Sequence, residues 1–333
     1  MDTRRALLAA LADGPISGPA LADELGVSRA AVWKAVEALR EEGFAVESTS
    51  AGYVAPADPP YCAAGIEFGL DAPYAVEYRD RLPSTNDRAR ELASEGAADV
   101  AVVADEQTGS RGRLDREWVA PSGGVWVSIL TRPTVPAARA PLFTLAAAVA
   151  TVDACREIDV DAHIKWPNDV LVGDGKVGDG TDGVGDGGRK VAGRGGRKVA
   201  GILTEMEGEA DRVSWLVVGV GVNANLDPAA LPDAATSLRA EAGGDVDRRR
   251  VAATLLERYA ALAATADRAD QILSAWRDRA STLGRRVRVE TASGPVVGTA
   301  VDVESPGALV IDTAEGERRV HAGDCEHLRD ADA

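Results

Sequence analysis

Two periodicities divide the chain. Through residues 4–42 apolar residues recur at three- and four-residue spacing, the pattern of amphipathic helices. After Leu283 they alternate or cluster in short runs cut by Gly, Pro and Asp, the pattern of short strands. Between these ends, strand-like and helix-like stretches follow one another.

The N-terminal pattern predicts a helix over 4–12 and a second opened by Ser17, with Leu21 and Leu25 four apart and Gly26 as its stop. Ser28 opens a third, on which Val32, Val36 and Leu39 share one face while Arg29, Lys34 and Arg40 fall largely elsewhere. FAVESTSAGYVA (44–55) then alternates around a glycine turn, which suits a β wing. Two helices joined by a tight turn, then a hairpin, predict a winged helix-turn-helix. A three-helix protein-binding or dimerising module is the alternative. APADPPYCA (55–63) reads as a linker and domain boundary.

Strands are expected near 100–104, 125–130, 163–166, 170–172, 199–205 and 215–222, and helices near 86–95, 139–157, 247–265 and 270–281. Several strands succeed one another without a helix between them. That favours one α/β or α+β domain with a mixed or mostly antiparallel sheet over a doubly wound one. The C-terminal runs predict a small β barrel of about five strands. The expected division is 1–58, 64–282 and 284–331.

Composition sharpens the picture at three points. The 333 residues carry 53 acids and 37 bases, only five of them lysine, for a net charge of −16. Such an excess of carboxylates fits a protein soluble in high salt, or an acidic cytosolic enzyme from a GC-rich genome. Residues 1–60 hold five bases and nine acids, a net of −4, so DNA affinity would depend on a local basic face at Arg29, Lys34 and Arg40. Cys62, Cys155 and Cys325 are odd in number and in no metal spacing, which argues against a disulfide framework or zinc site. With no signal peptide or membrane span in the pattern, the expected location is cytoplasmic.

Candidate chemistry clusters in the middle. DEQTGSRGRLDREW (105–118) follows a strand and sets Arg111, Arg113 and Arg116 among glycines, a mobile cationic loop suited to phosphate and carboxylate oxygens. It matches neither Walker A nor Gly-x-Gly-x-x-Gly. KWPNDVLV (165–172) ends a strand at Pro167 and presents Asn168 and Asp169, with Lys165 just before the turn. An Asp beside an Asn can hold Mg²⁺ or fix a ligand's hydroxyls. PSTN (83–86) opens a helix, where Ser84 or Asn86 is either an N-cap or a ligand contact.

Taken in order, STN (84–86), EQTGSRGR (106–113), KWPND (165–169), RKVAGILTE (197–205) and GVGVNAN (219–225) closely resemble the biotin protein ligases. With the winged helix, the chain resembles the bifunctional subtype that is also the biotin operon repressor. The resemblance covers nearly the whole chain. It implies a class-II-synthetase-like catalytic domain and a C-terminal SH3-like barrel. It also implies that biotin and ATP, with Mg²⁺, form biotinyl-5′-adenylate. The biotinyl group then passes to a lysine of a biotin carboxyl carrier protein. Operator DNA and a second copy of the chain are the further partners implied.

Residue by residue, the resemblance assigns Ser84, Thr85, Asn86 and Gln107 to the ureido ring and its neighbours, Arg111, Gly112 and Arg113 to the lid over biotin and phosphate, and Trp118 to a wall. Lys165, Asn168, Asp169 and Asn223 fall on the nucleotide side, Asp169 also as the candidate Mg²⁺ ligand, with Gly201 beside biotin. Asp115 stands where the family's loop has glycine. The catalytic lysine of the family leads directly into an Ala-Gly-Ile-Leu strand, which Lys198 does. Lys190 runs into Gly193-Arg194-Gly195-Gly196, so it and Lys176 are the weaker alternatives. The run 176–197 reads as a flexible, glycine-rich insertion grown by local duplication, with GRKVAG at 188–193 and again at 196–201. The rival readings are a lipoate-type protein ligase, a transcription factor with vestigial ligase activity, and a ligase whose helical domain no longer binds DNA.

Overall fold

Serine caps set the first two turns. The computed structural model describes residues 3–173, 196–209 and 211–328; Lys176, Lys190 and the insertion up to 195 lie outside them. α1 (Thr3–Ala12) leads to α2 (Gly18–Leu25), where Ser17 Oγ accepts the Ala20 N–H, and α3 (Arg29–Glu41), where Ser28 Oγ accepts that of Ala31. Gly26, in the left-handed conformation at φ 63°, stops α2. Leu7, Leu8, Leu11, Leu21, Val32, Val36, Leu39 and Phe44 form the core beneath them. β1 (Glu47–Thr49) and β2 (Gly52–Val54) make the wing, fastened back by pairing of Ile16 with Tyr53.

The winged helix is not loosely tethered. The expected linker runs into α4 (Ala63–Glu67), whose Cys62 cap and Ala64 are buried in the winged-helix core while Ile66 enters the central one. Arg4 reaches across to Glu67 and Glu42, at 2.5 Å to each.

β3 (Ala75–Leu82), α5 (Thr85–Ser94), β4 (Val100–Gln107), β5 (Val125–Thr131), α6 (Ala140–Arg156), β6 (Ala162–Lys165), β7 (Asp169–Val172), β8 (Arg197–Glu209) and β9 (Arg212–Val222) build the central domain. Its sheet runs β3-β4-β5-β9-β8-β7-β6, parallel only between β3 and β4. α7 (Leu238–Ala242), α8 (Arg248–Ala263) and α9 (Ala269–Arg277) follow. Strand alternation divides the sheet's faces. Val103, Val127, Ile129, Val218 and Val220 pack under α6, α8 and α9; Val102, Leu130 and Val217 pack under α5. The segment Ala137–Arg156 is apolar and long enough to span a membrane, but it is the central core helix, buried over most of its length.

The C-terminal strands β10 (Arg286–Thr291), β11 (Gly294–Glu304), β12 (Ala308–Thr313), β13 (Gly316–Val320) and β14 (Asp324–His327) form an antiparallel sheet in the order β13-β12-β11-β10-β14. β13 and β14 lie at opposite edges without pairing to each other. Trp166 Nε1 donates to Gly307 O at 3.0 Å, and Arg277 holds Asp302 and Val303 O. These bonds dock β11 and the turn after it on the central domain, and β14, paired with β10, places Asp324 at the edge of the site.

Thr282 Oγ1 accepts the Trp166 N–H and lies 3.1 Å from His327 Nε2. Either of these two atoms can be the donor, depending on the tautomer of the imidazole. Burial, then the charges of Lys165 and Arg285, push the imidazole down to about 3. The unfolded chain takes up this proton near the ordinary histidine value, so stability is lost as pH falls from about 6.5 toward 3. At pH 5 the loss from this group is at most about 2 kcal/mol. We expect urea midpoints of the His327→Gln variant to fall less between pH 7 and pH 5 than those of the unaltered chain; an equal fall would contradict a buried neutral His327.

Candidate active site

One cavity of about 330 Å³ opens on the α5 face of the sheet. Its floor is glycine. β8 and β9 pair Gly201 with Gly221, and Gly219 lies one step along the same face. The valines that alternate with these glycines, Val218, Val220 and Val222, fill the core beneath. A Cβ on Gly221 would come 2.9 Å from Trp118 Nε1, and one on Gly219 would come 2.2 Å from Asn86 Oδ1. These glycines let an indole and an amide lie flat on the strands. The Trp118 ring carries Lys198 Nζ 5.0 Å from its centre, and its Nε1 has no partner among the described residues.

The α5 end is a polar seat. Ser84 caps the helix through the Asp87 N–H, and Gln107 Oε1 accepts both the Thr85 N–H, at 2.7 Å, and its hydroxyl, at 3.0 Å. Ser128 Oγ lies 2.7 Å from Thr85 Oγ1 and 2.5 Å from Asn86 Oδ1, and Asn86 Nδ2 donates to Glu205 at 2.7 Å. Ser84, Thr85, Asn86 and Ser128 are all buried. The amide of Asn86 is therefore held in one orientation. The cap and the ligand readings of Ser84 coexist, because the capped helix end lines the cavity.

Opposite the seat stands the charged centre. β7 and β8 pair Asp169 with Gly201, and Lys198 reaches back to Asp169 Oδ1 at 2.6 Å. Asn168 spends its Nδ2 on Ile202 O and offers Oδ1 to Arg113 Nη1 at 3.0 Å, while Arg113 Nη2 reaches Gly323 O at 3.2 Å. Asn223 gives Nδ2 to Thr236 O and lines the cavity.

The loop from Gly109 to Trp118 closes over this centre as a short hairpin, pairing Gln107 with Ala120 and Arg111 with Glu117. Arg111 pairs with Asp87 at 3.0 Å and Arg116 with Asp324. Leu114 occupies the left-handed region at φ 57° and is 75% exposed. The demand for a permissive residue thus falls on Leu114, next to the Asp115 that the sequence singles out.

Fourteen sequence-selected residues meet here: Ser84, Thr85, Asn86, Gln107, Arg111, Gly112, Arg113, Arg116, Trp118, Asn168, Asp169, Lys198, Gly201 and Asn223. Lys165 does not. It points from β6 toward β14, close enough to Cys325 and His327 to shift both. Asp87, Ser128, Glu205, Gly219 and Asp324 were not legible as site residues. Only the alternation in GVGV carried a signal, since a glycine every second residue on a core strand marks something lying close above.

In the N-terminal domain, Arg29 and Lys34 are exposed on α3. Arg40 is not available in the same way. It donates to Val46 O, Glu37 and Ser48 Oγ, bracing the wing against α3. The described residues contain no group of three or more metal-ligating side chains.

Sequence profiles of known families match three segments. The biotin/lipoate A/B protein ligase family matches residues 77–223, an HTH domain residues 3–54, and a biotin protein ligase C-terminal domain residues 282–328. The bifunctional ligase/repressor BirA of Bacillus subtilis is 36% identical over 327 residues, covering 93% of both chains. That of Escherichia coli is 26% identical over 92% of this chain and 91% of its own. The crystal structure of biotin protein ligase from Aquifex aeolicus with biotin and ATP superimposes with a TM-score of 0.60 and 25% identity, covering 76% of this chain and 98% of that one.

Proposed function

The chain belongs to the biotin protein ligase family, in its bifunctional ligase/repressor form, and on that premise we propose how its residues carry out the reaction. It activates biotin with ATP to biotinyl-5′-AMP and transfers the biotinyl group to a lysine of a carboxyl carrier protein. The observation that carries the residue assignment is a single cavity joining a polar seat, a glycine floor and three converging cations, Arg111, Arg113 and Lys198.

The first step joins two anions. The biotin carboxylate oxygen attacks the α-phosphorus of ATP, and pyrophosphate leaves. Two unit charges about 4 Å apart repel by about 4 kcal/mol at an effective dielectric near 20. Lys198 and the two loop arginines offset this and stabilise the charge that develops on the phosphoryl oxygens. Ser84, Thr85, Asn86 and Gln107 seat the ureido ring, with Ser128 holding Thr85 and Asn86 from beneath; Trp118 covers the chain, and Asn223 takes the adenine side. In the second step the acceptor amine attacks the acyl carbon and AMP leaves. No protein nucleophile is required. Cys62, Cys155 and Cys325 are buried thiols, and burial pushes the latter two up to about 12.

Asp169 is a single carboxylate already paired with Lys198. Mg²⁺ would enter on the triphosphate, with Asp169 the protein carboxylate that would hold it. The winged helix supports binding of operator DNA, and pairing of two chains would present two such domains to one site.

The test is transfer itself. Incubation with biotin, ATP, Mg²⁺ and a carrier domain should label the carrier on an avidin blot, and lipoate should not compete; a carrier that gains the mass of a lipoyl group and no avidin label would overturn biotin as the substrate. The glycine floor gives a second expectation. Gly221→Val forces the Trp118 indole off β9, so biotin affinity by calorimetry should fall at least about tenfold. Unchanged affinity would show that the indole does not cover the ligand.

A further inference from the structure

α3 is divided along its length. Its first turns present Arg29, Ala30, Trp33 and Lys34 to solvent on one arc, and its later turns carry Glu37 and Glu41. Trp33 is 56% exposed, in a domain whose other large apolar side chains pack wholly or partly into its core.

Residues 3–54 contain five cations. Three are spent inside the protein: Arg4 on Glu42 and Glu67, Arg5 on Ala72 O, and Arg40 on the wing and Glu37. Arg29 and Lys34 make no ion pair or hydrogen bond to another described residue, and they flank Trp33. An acidic domain has thus placed its two available cations on either side of its one exposed indole. They sit at the helix end whose dipole also favours phosphate.

We propose that this patch binds B-form DNA chiefly through Trp33 rather than through phosphate neutralisation, so that operator binding has an unusually shallow salt dependence. The inference rests on the repressor reading above. Residues in the first turns of a recognition helix reach base edges in the major groove, and an apolar side chain there meets the thymine methyl. Each phosphate neutralised contributes about −0.9 to the slope of log affinity against log salt. Two cations per chain give a slope of about −2, or about −4 for two chains on one site. Binding carried by an indole survives the high salt that an acidic surface suits.

The full-length protein, with biotin and ATP, would be titrated against a fluorescent duplex from upstream of its own coding sequence and a scrambled duplex, across a KCl series. We expect a slope no steeper than about −4. Trp33→Ala should lose about 10- to 100-fold in affinity at every salt with the slope unchanged, and Trp33→Phe should retain most of it. Lys34→Ala should flatten the slope by about 1 per chain. Carrier biotinylation should be unaltered in all three. A slope steeper than about −6, or Trp33→Ala binding like the unaltered chain, overturns this inference alone. So does a Trp33→Ala variant that loses self-association rather than DNA affinity. No preference for the upstream duplex at any salt overturns the repressor reading and this inference together.

Discussion

Lys198→Ala folds but no longer makes the adenylate. Biotin-dependent pyrophosphate exchange falls by about 10³-fold or more, beyond the range seen when one stabilising donor is removed. The excess follows from the geometry. The lysine backbone is fixed in β8, its N–H donating to Ala234 O at 2.8 Å and its carbonyl accepting from Thr236. Truncation therefore removes the ammonium without moving the strand. It also leaves Asp169, formerly paired at 2.6 Å, as a bare carboxylate facing two incoming anions. Adding Asp169→Asn to Lys198→Ala should restore part of the loss, a non-additivity that only direct contact explains. Lys190→Ala should behave as the unaltered chain. If Lys190→Ala is inactive and Lys198→Ala active, the catalytic lysine is the other copy.

Arg113→Ala has the second-largest effect, about 10²- to 10³-fold in exchange. One guanidinium spans Asn168 Oδ1 and Gly323 O and so fixes the loop to both the central sheet and the C-terminal domain. Lysine supplies the charge but not the fork, so Arg113→Lys should recover little. Release of biotinyl-5′-AMP into solution should rise in both variants, because the loop no longer covers the mixed anhydride. Arg116→Ala is the control. Its pair with Asp324 is exposed and worth less than about 1 kcal/mol. An Arg116 effect equal to that of Arg113 would mean that the loop is held by its rim.

The parts legible in the sequence were those with dense local chemistry. Ser17, Gly26 and Ser28 announced the helix ends, and the order of STN, the arginine loop, KWPND and the Lys198 strand announced one cavity. What escaped was either edge structure or contact at a distance. β3 is an edge strand whose Glu77, Arg79, Asp80 and Arg81 break the apolar alternation. α4 and α7 span five residues each, too few for a helical period to register. Asp87 and Glu205 enter the site through partners far along the chain, Arg111 and Asn86. Lys165 sits in a motif that reaches the cavity, yet strand alternation turns it to the C-terminal domain. Arg40 falls on an open-looking helix position, but the wing folds back on it.

The central claim is that Lys198 and the loop arginines bring a carboxylate and an α-phosphate together. Exchange of labelled pyrophosphate into ATP measures that step without the carrier protein. The account predicts exchange that requires biotin and disappears in Lys198→Ala. Exchange that ignores biotin, or that persists undiminished without the Lys198 ammonium, would contradict it.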